Sequence, residues 1–192
     1  MKDGVSVRAG ETIVITASSI LGKPPPTNVW SKGGRELKSS DTVQITSTPT
    51  TSTISIKYAN RKNTGEYIIT ASNPFGIKEQ RVKVKVLDIP GPPGPIDFSS
   101  VSAEKCTLTW LAPEEEGGCT IKSYTLEKRE TSRLLWTKVA ENIMDCRFVA
   151  SKLIKGNEYI FRVSAVNQYG TGDSTLSGSV KMIDSFSEFT MN

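Results

Sequence analysis

Few residues in this chain could do chemistry, and their spacing argues against most of it. There is no histidine, which removes Ser-His and Cys-His nucleophile pairs and every metal site that needs an imidazole. The run Glu114-Glu115-Glu116 offers three carboxylates, but Pro113 before it and Gly117-Gly118 after it mark a solvated loop rather than a cation site. Cys106, Cys119 and Cys146 form no C-x-x-C pair. Cys106 alternates with Leu108 and Trp110 and is expected to be buried and inert, whereas Cys119 falls in a polar loop. Gly170-Thr171-Gly172 opens like a phosphate-binding turn, yet Thr175 stands where the third glycine belongs. Thr171-Gly172-Asp173 is not Arg-Gly-Asp. The residue types therefore predict no catalytic residue, no metal site and no cofactor.

Charge is the surface property that carries information. Residues 1–88 hold 13 Lys+Arg against 7 Asp+Glu, net +6, and residues 89–192 hold 11 against 13, net −2, which together make the overall +4. Nucleic acid is a poor partner for this pattern. Arg8, Lys23, Lys32, Arg35, Lys57, Arg61 and Lys62 are spread over several strands and loops, and no exposed aromatic series accompanies them. An acidic protein surface suits the basic half better, with Arg35, Arg61 and Lys62 as the candidate contact residues. No run approaches the roughly 18 apolar residues of a membrane span. Met1-Lys2-Asp3-Gly4 lacks the apolar core of a signal peptide, so Met1 reads as the edge of a piece cut from something longer.

The elements that must position these residues are strands. Ala71-Ser72-Asn73-Pro74-Phe75-Gly76 recurs as Ala165-Val166-Asn167-Gln168-Tyr169-Gly170, an offset of 94 residues (165 − 71), and each copy follows a tyrosine-bearing alternating segment. We read A-x-N-x-x-G as the hairpin between the last two strands of a sandwich, with Asn and Gly supplying positive φ. A chain of 192 residues, 36% hydrophobic and 23% charged, suffices for two cores of about 90 residues each. In the first half Ile13, Ile15 and Ala17 alternate, Trp30 follows a proline turn, and Ile54 with Ile56 and Val82, Val84 and Val86 continue the pattern. In the second, Cys106, Leu108 and Trp110, then Tyr124 and Leu126, then Tyr159, Phe161, Val163 and Ala165 define one core face. Between them Asp88-Ile89-Pro90-Gly91-Pro92-Pro93-Gly94-Pro95 predicts a short, semi-rigid spacer, because proline fixes its own φ and restricts its predecessor.

Particular residues carry a family resemblance. Asn63-Thr64-Gly65-Glu66-Tyr67 resembles the tyrosine corner of immunoglobulin domains, with Asn63 replacing the commoner Asp. That resemblance implies an I-set domain with Trp30 at its centre. The family's disulfide positions would fall at Ala17 and Ile69, both apolar here, and packing against Trp30 would replace a cross-link worth ~2–5 kcal/mol. Val29 adjoins Trp30, and Asn28 holds the position that is usually apolar, which leaves the local strand register open. Much of the first strand is expected to be missing before Val5-Ser6-Val7. Trp110, followed by Leu153-Ile154-Lys155-Gly156-Asn157-Glu158-Tyr159 with Phe161 and Val163, resembles the fibronectin type III domain and its own corner.

Taken with Ser123–Arg133 and Gly156–Asn167, the tandem resembles the titin-like family of sarcomeric filament proteins in its A-band arrays, a wider group that takes in twitchin, projectin and myosin-binding protein C. The expected fold is all-β, two tandem β-sandwiches: an I-set domain over 1–88, a Pro/Gly linker over 89–95, a type III domain over 96–183, and a tail or further linker over 184–192. Trp30, Tyr67, Trp110, Leu153 and Tyr159 are its structural signature. The resemblance implies a non-catalytic structural and docking segment that helps assemble and space the thick filament. Its partners would be myosin, associated sarcomeric proteins and neighbouring modules of the same chain, with no nucleic acid and no membrane. The family's giant chains carry a serine/threonine kinase domain elsewhere. The first half has no cysteine, three is an odd set, and no Asn-x-Ser/Thr sequon occurs, so a reducing cytoplasmic location, the sarcomeric A-band, is expected. The alternative is an extracellular adhesion or receptor fragment built of the same modules.

Overall fold

A computed structural model describes residues 4–184, which leaves Met1 and the tail residues Phe186 and Phe189 outside the described residues. The chain forms two compact units, 1–88 and 89–192. In the first, strands β1 (Gly4–Arg8), β2 (Ile13–Ala17), β3 (Thr27–Lys32), β4 (Arg35–Glu36), β5 (Val43–Ser47), β6 (Ser52–Ile56), β7 (Gly65–Asn73) and β8 (Gly76–Leu87) make two sheets, ordered β1-β8-β7-β3-β4 and β2-β6-β5. Period-two alternation sets which side chains meet between them, because successive residues of a strand face opposite ways. Ile13, Ile15 and Ala17 of β2 and Ile54 and Ile56 of β6 face Trp30, Tyr67, Ile69, Val82, Val84 and Val86 of the other sheet, all nearly fully buried. Strand β1 runs parallel to β8, Gly4 opposite Lys83 through Arg8 opposite Leu87.

Asn28 points inward on β3 and is half-buried, while Val29 is 39% exposed, which settles the register beside Trp30. The Asn28 Oδ1 is buried with no hydrogen-bond partner among the described residues. A polar amide thus occupies a place where an apolar side chain would be easier to bury.

The second unit contains β9 (Asp97–Ser99), β10 (Cys106–Thr109), β11 (Ser123–Glu130), β12 (Thr137–Ile143), β13 (Arg147–Ala150), β14 (Glu158–Asn167), β15 (Gly170–Leu176) and β16 (Val180–Lys181). Its sheets run β13-β10-β9 and β12-β11-β14-β15, with β16 also pairing β14. Cys106, Leu108, Leu126, Phe161, Val163, Ala165 and Met182 at its centre have no solvent exposure.

The division between units falls after Asp88, which puts the Pro/Gly stretch in the second one. Pro90, Gly91 and Pro93 are buried there. The Gly91 N–H donates to Glu115 O at 2.9 Å and the Gly94 N–H to Leu111 O at 2.8 Å. The Thr175 hydroxyl donates to the Pro93 carbonyl. Gly172 is needed for this approach, since a Cβ there would land on the Pro90 carbonyl. These prolines serve as a strap along β15, and the Gly91 and Gly94 N–H groups between them each find an acceptor.

Candidate functional site

Each unit is centred on a tyrosine that ties a turn to the core. In the first, Asn60 caps a single 3-10 turn, Arg61–Asn63: its side chain accepts from Lys62 N–H at 2.9 Å, and Asn63 Oδ1 accepts from Asn60 N–H at 2.9 Å. Tyr67, 1% exposed, donates its hydroxyl to the Asn63 carbonyl at 2.8 Å. Asn serves at 63 because its Oδ1 is the acceptor that the turn requires. Burial raises the Tyr67 pKa above its ordinary value, with the Asn63 side chain acting in the opposite direction. In the second unit the polarity reverses: Tyr159 accepts from the Ile154 N–H at 3.1 Å, while Leu153 is buried and donates its own N–H to Glu104 O at 3.0 Å.

The two tryptophans are held differently. Trp30 Nε1 donates to Ser52 Oγ at 2.9 Å, and Ser52 shares a 2.9 Å bond with Ser47. Ser52 lies opposite Ala17 and Ile69 opposite Trp30 in the strand pairings, so this polar pin sits where a disulfide would cross. Sequence reasoning passed over Ser52, although its phase with Ile54 and Ile56 signals an inward side chain. Trp110 has no acceptor for Nε1 among the described residues and is held by packing, its ring edge-on to Tyr124 at 5.5 Å between centroids.

The repeated A-x-N-x-x-G segments are two-residue hairpins, Asn73 pairing Gly76 and Asn167 pairing Gly170. The expected reason for the asparagines was wrong. Neither Asn has a positive φ, nor does Gly76; only Gly170 does, at 136°. Each asparagine works through its side chain. Asn73 Oδ1 accepts from Phe75 N–H at 2.9 Å, and Asn167 Oδ1 from Tyr169 N–H at 2.8 Å. Their amide groups reach across to the loop that follows the unit's early strand, Asn73 to Pro24 O at 3.2 Å and Asn167 to Glu116 O at 2.9 Å. One residue thus closes the hairpin and fastens a second loop to it.

The reactive residues are placed apart from one another in role. Cys106 is fully buried, and burial pushes its thiol from 9.0 to about 11, so little thiolate forms at neutral pH. Cys146 donates to the Tyr124 hydroxyl at 3.4 Å, and Cys119 is partly exposed; all three cysteines are free. Glu114, Glu115 and Glu116 expose their side chains, while the backbone of Glu115 and Glu116 receives the bonds described above.

The basic residues converge only in part. Arg35 on β4 pairs with Lys32 on β3, and the Lys32 ammonium donates to the Lys62 carbonyl while lying 5.5 Å from the Tyr67 ring centroid. Burial lowers the Lys32 pKa. Arg35, Lys32 and Lys62 therefore share one end of the first unit. Arg61 turns away to Asp88, Nη2 to Oδ2 at 3.5 Å, so its charge is partly offset within the fold.

Comparison with known proteins matches this architecture in sequence order. The immunoglobulin I-set domain profile matches residues 2–86 and the fibronectin type III domain profile residues 91–181. Titin of Drosophila melanogaster is 33% identical over 181 residues, covering 94% of this chain and 1% of that protein. Fast-type myosin-binding protein C of Gallus gallus is 32% identical over 177 residues, 88% of this chain and 16% of that protein. A crystal structure of domains A168-A170 from titin aligns at a TM-score of 0.54 with 30% identity, over 94% of this chain and 62% of that one. The chain thus spans a small part of the relatives it matches.

Proposed function

Because this chain belongs to the immunoglobulin I-set family in its first half and to the fibronectin type III family in its second, we propose that it is a structural and docking segment of a titin-like sarcomeric filament protein. The carrying observation is that both modules align, in this order, across nearly the whole chain with titin. Neither module type is catalytic. The proposed place is the A-band, along the myosin thick filament.

Two physical features support the reading. Tension applied through the first unit enters at β1 and leaves at β8, which lie side by side and parallel over five residue pairs. Pulling in opposite senses loads that ladder in shear, so its hydrogen bonds must yield together rather than one after another. The second feature is charge. Arg35, Lys32 and Lys62 give a net-positive unit a local cationic end that suits the acidic surface of a myosin rod. Each such contact is weak and screened by salt, and useful binding arises when linked modules raise one another's effective concentration.

The test is co-sedimentation of native multi-module arrays containing this chain with myosin filaments. Binding that weakens with ionic strength and with charge reversal at Arg35 and Lys62 is expected, with a smaller effect at Arg61 because of Asp88. Binding indifferent to both would reject the electrostatic mechanism. No binding at any array length would leave a passive, force-bearing spacer.

A further inference from the structure

The second unit carries a cationic cleft with an apolar floor on a surface that its net charge of −2 does not foretell. The loop between β11 and β12 exposes Leu134 (90%) and Leu135 (78%), and Ile154 across from it is 57% exposed. Leu135, Ile154 and Tyr159 line a cleft of about 160 Å³ together with Lys128, Arg133 and Lys152. Pockets for drug-sized molecules start at roughly 300 Å³, so this one suits a single side chain.

The leucines are held out rather than left loose. Trp136, at the end of the loop, is stacked by two guanidinium groups, Arg162 Cζ at 4.3 Å and Arg129 Cζ at 5.4 Å from its ring centroid. Arg162 is itself fixed by Glu127, Nε to Oε2 at 2.5 Å. Arg129 Nη1 donates to Arg133 O at 3.0 Å, and Thr131 N–H to Glu158 O at 3.0 Å. A rigid loop that presents adjacent apolar side chains loses little conformational entropy when they are covered.

Charge selects what covers them. Among the described residues the single carboxylate lining the cleft, Glu130, is occupied by Arg133 at 3.2 Å and by the Asn157 amide at 3.0 Å. Among the described residues no carboxylate is ion-paired with Lys128 or Lys152; the Lys128 ammonium lies 5.6 Å from the Tyr159 ring centroid. We propose that this cleft docks an acidic protein segment, taking one apolar side chain against Leu135, Ile154 and Tyr159 while Lys128 and Lys152 meet carboxylates on either side of it. The proposal rests on the docking reading above for there being a protein partner, and it adds a contact on the type III unit.

Titration of the isotope-labelled 192-residue chain with a peptide of glutamates flanking one leucine tests it by NMR. Amides of residues 128–137 and 152–155 should shift. Replacing the peptide's leucine by serine, or introducing Leu135→Ser or Lys152→Glu in the chain, should each weaken binding at least about fivefold, about 1 kcal/mol. Lys57→Glu, at an exposed lysine of the first unit, should leave this binding unchanged. Equal shifts with the serine peptide would reduce the site to charge alone and overturn the proposal, as would shifts confined to the first unit. The same shifts on raising the chain's own concentration would point to self-association and overturn it too. Arrays that sediment with myosin filaments equally well with Leu135→Ser would overturn this site and leave the docking function standing. A cleft that binds the peptide in arrays that do not sediment would do the reverse.

Discussion

At the scale of single residues, the two corner tyrosines make similar hydrogen bonds of opposite polarity. Tyr67→Phe removes a donor and leaves the Asn63 carbonyl, whereas Tyr159→Phe removes an acceptor and leaves the Ile154 N–H. Each change should cost on the order of 1 kcal/mol, in its own unit alone, as read by denaturant unfolding followed separately for each domain. Equal, negligible losses would show that neither bond matters. Cys106 yields a second expectation. Its folded pKa of about 11 lies above the unfolded value of 9.0, so the buried thiol contributes fully below pH 9. As pH rises the unfolded thiol ionises first, and that stability is lost between 9 and about 11, with a slope approaching ~1.4 kcal/mol per pH unit. Tyr124, raised by burial and then by its bond with Cys146, acts in the same direction at higher pH. Unfolding titrations of wild type and Cys106→Ala should differ in slope across that window; parallel curves would contradict the assignment.

At the scale of elements, the hairpins show how one asparagine coordinates two loops. Asn167 is 3% exposed, so Asn167→Ala leaves the part-buried N–H of Tyr169 and the carbonyl of Glu116 without these partners, and the expected loss is ~2–3 kcal/mol. Asn73 makes the same pair of bonds in a more exposed setting, where water can substitute, and Asn73→Ala should cost ~1 kcal/mol or less. Thermal unfolding of the two variants checks the ranking, and a larger loss at Asn73 would refute it. The A-x-N-x-x-G repeat was legible as a pair of hairpins because Asn and Gly are common turn residues. Its cross-loop bonds were not, because Pro24 and Glu116 lie 49 and 51 residues away in sequence. The strap over 89–94 is another such case. Its prolines announced stiffness, but only the approach of Pro90 to Gly172 decides what they stiffen.

At the scale of the whole molecule, two separate cores account for stability without any cross-link. Each is closed by side chains of its own unit, and all three cysteines are free. Reductant should therefore leave both unfolding transitions of a monomeric sample unchanged. A shift of several degrees would reveal a bond that this fold does not contain. The net charges of +6 and −2 describe the units on average. Function at a surface depends on local clustering, and the cationic cleft of the acidic unit and the partly offset charge of Arg61 both run against those averages.

The amino-acid sequence by itself determined the all-β class, the two-module order and the core faces. Those follow from period-two alternation and turn residues, which are local properties. Tertiary structure alone decided which polar groups meet across the sheets. Ser52 beneath Trp30, Arg61 beside Asp88, and Arg162 against Trp136 are pairings between segments distant in sequence. Hydrogen bonds and charge contacts act over a few ångströms, so their partners are fixed only when folding has set strand register and brought those segments together.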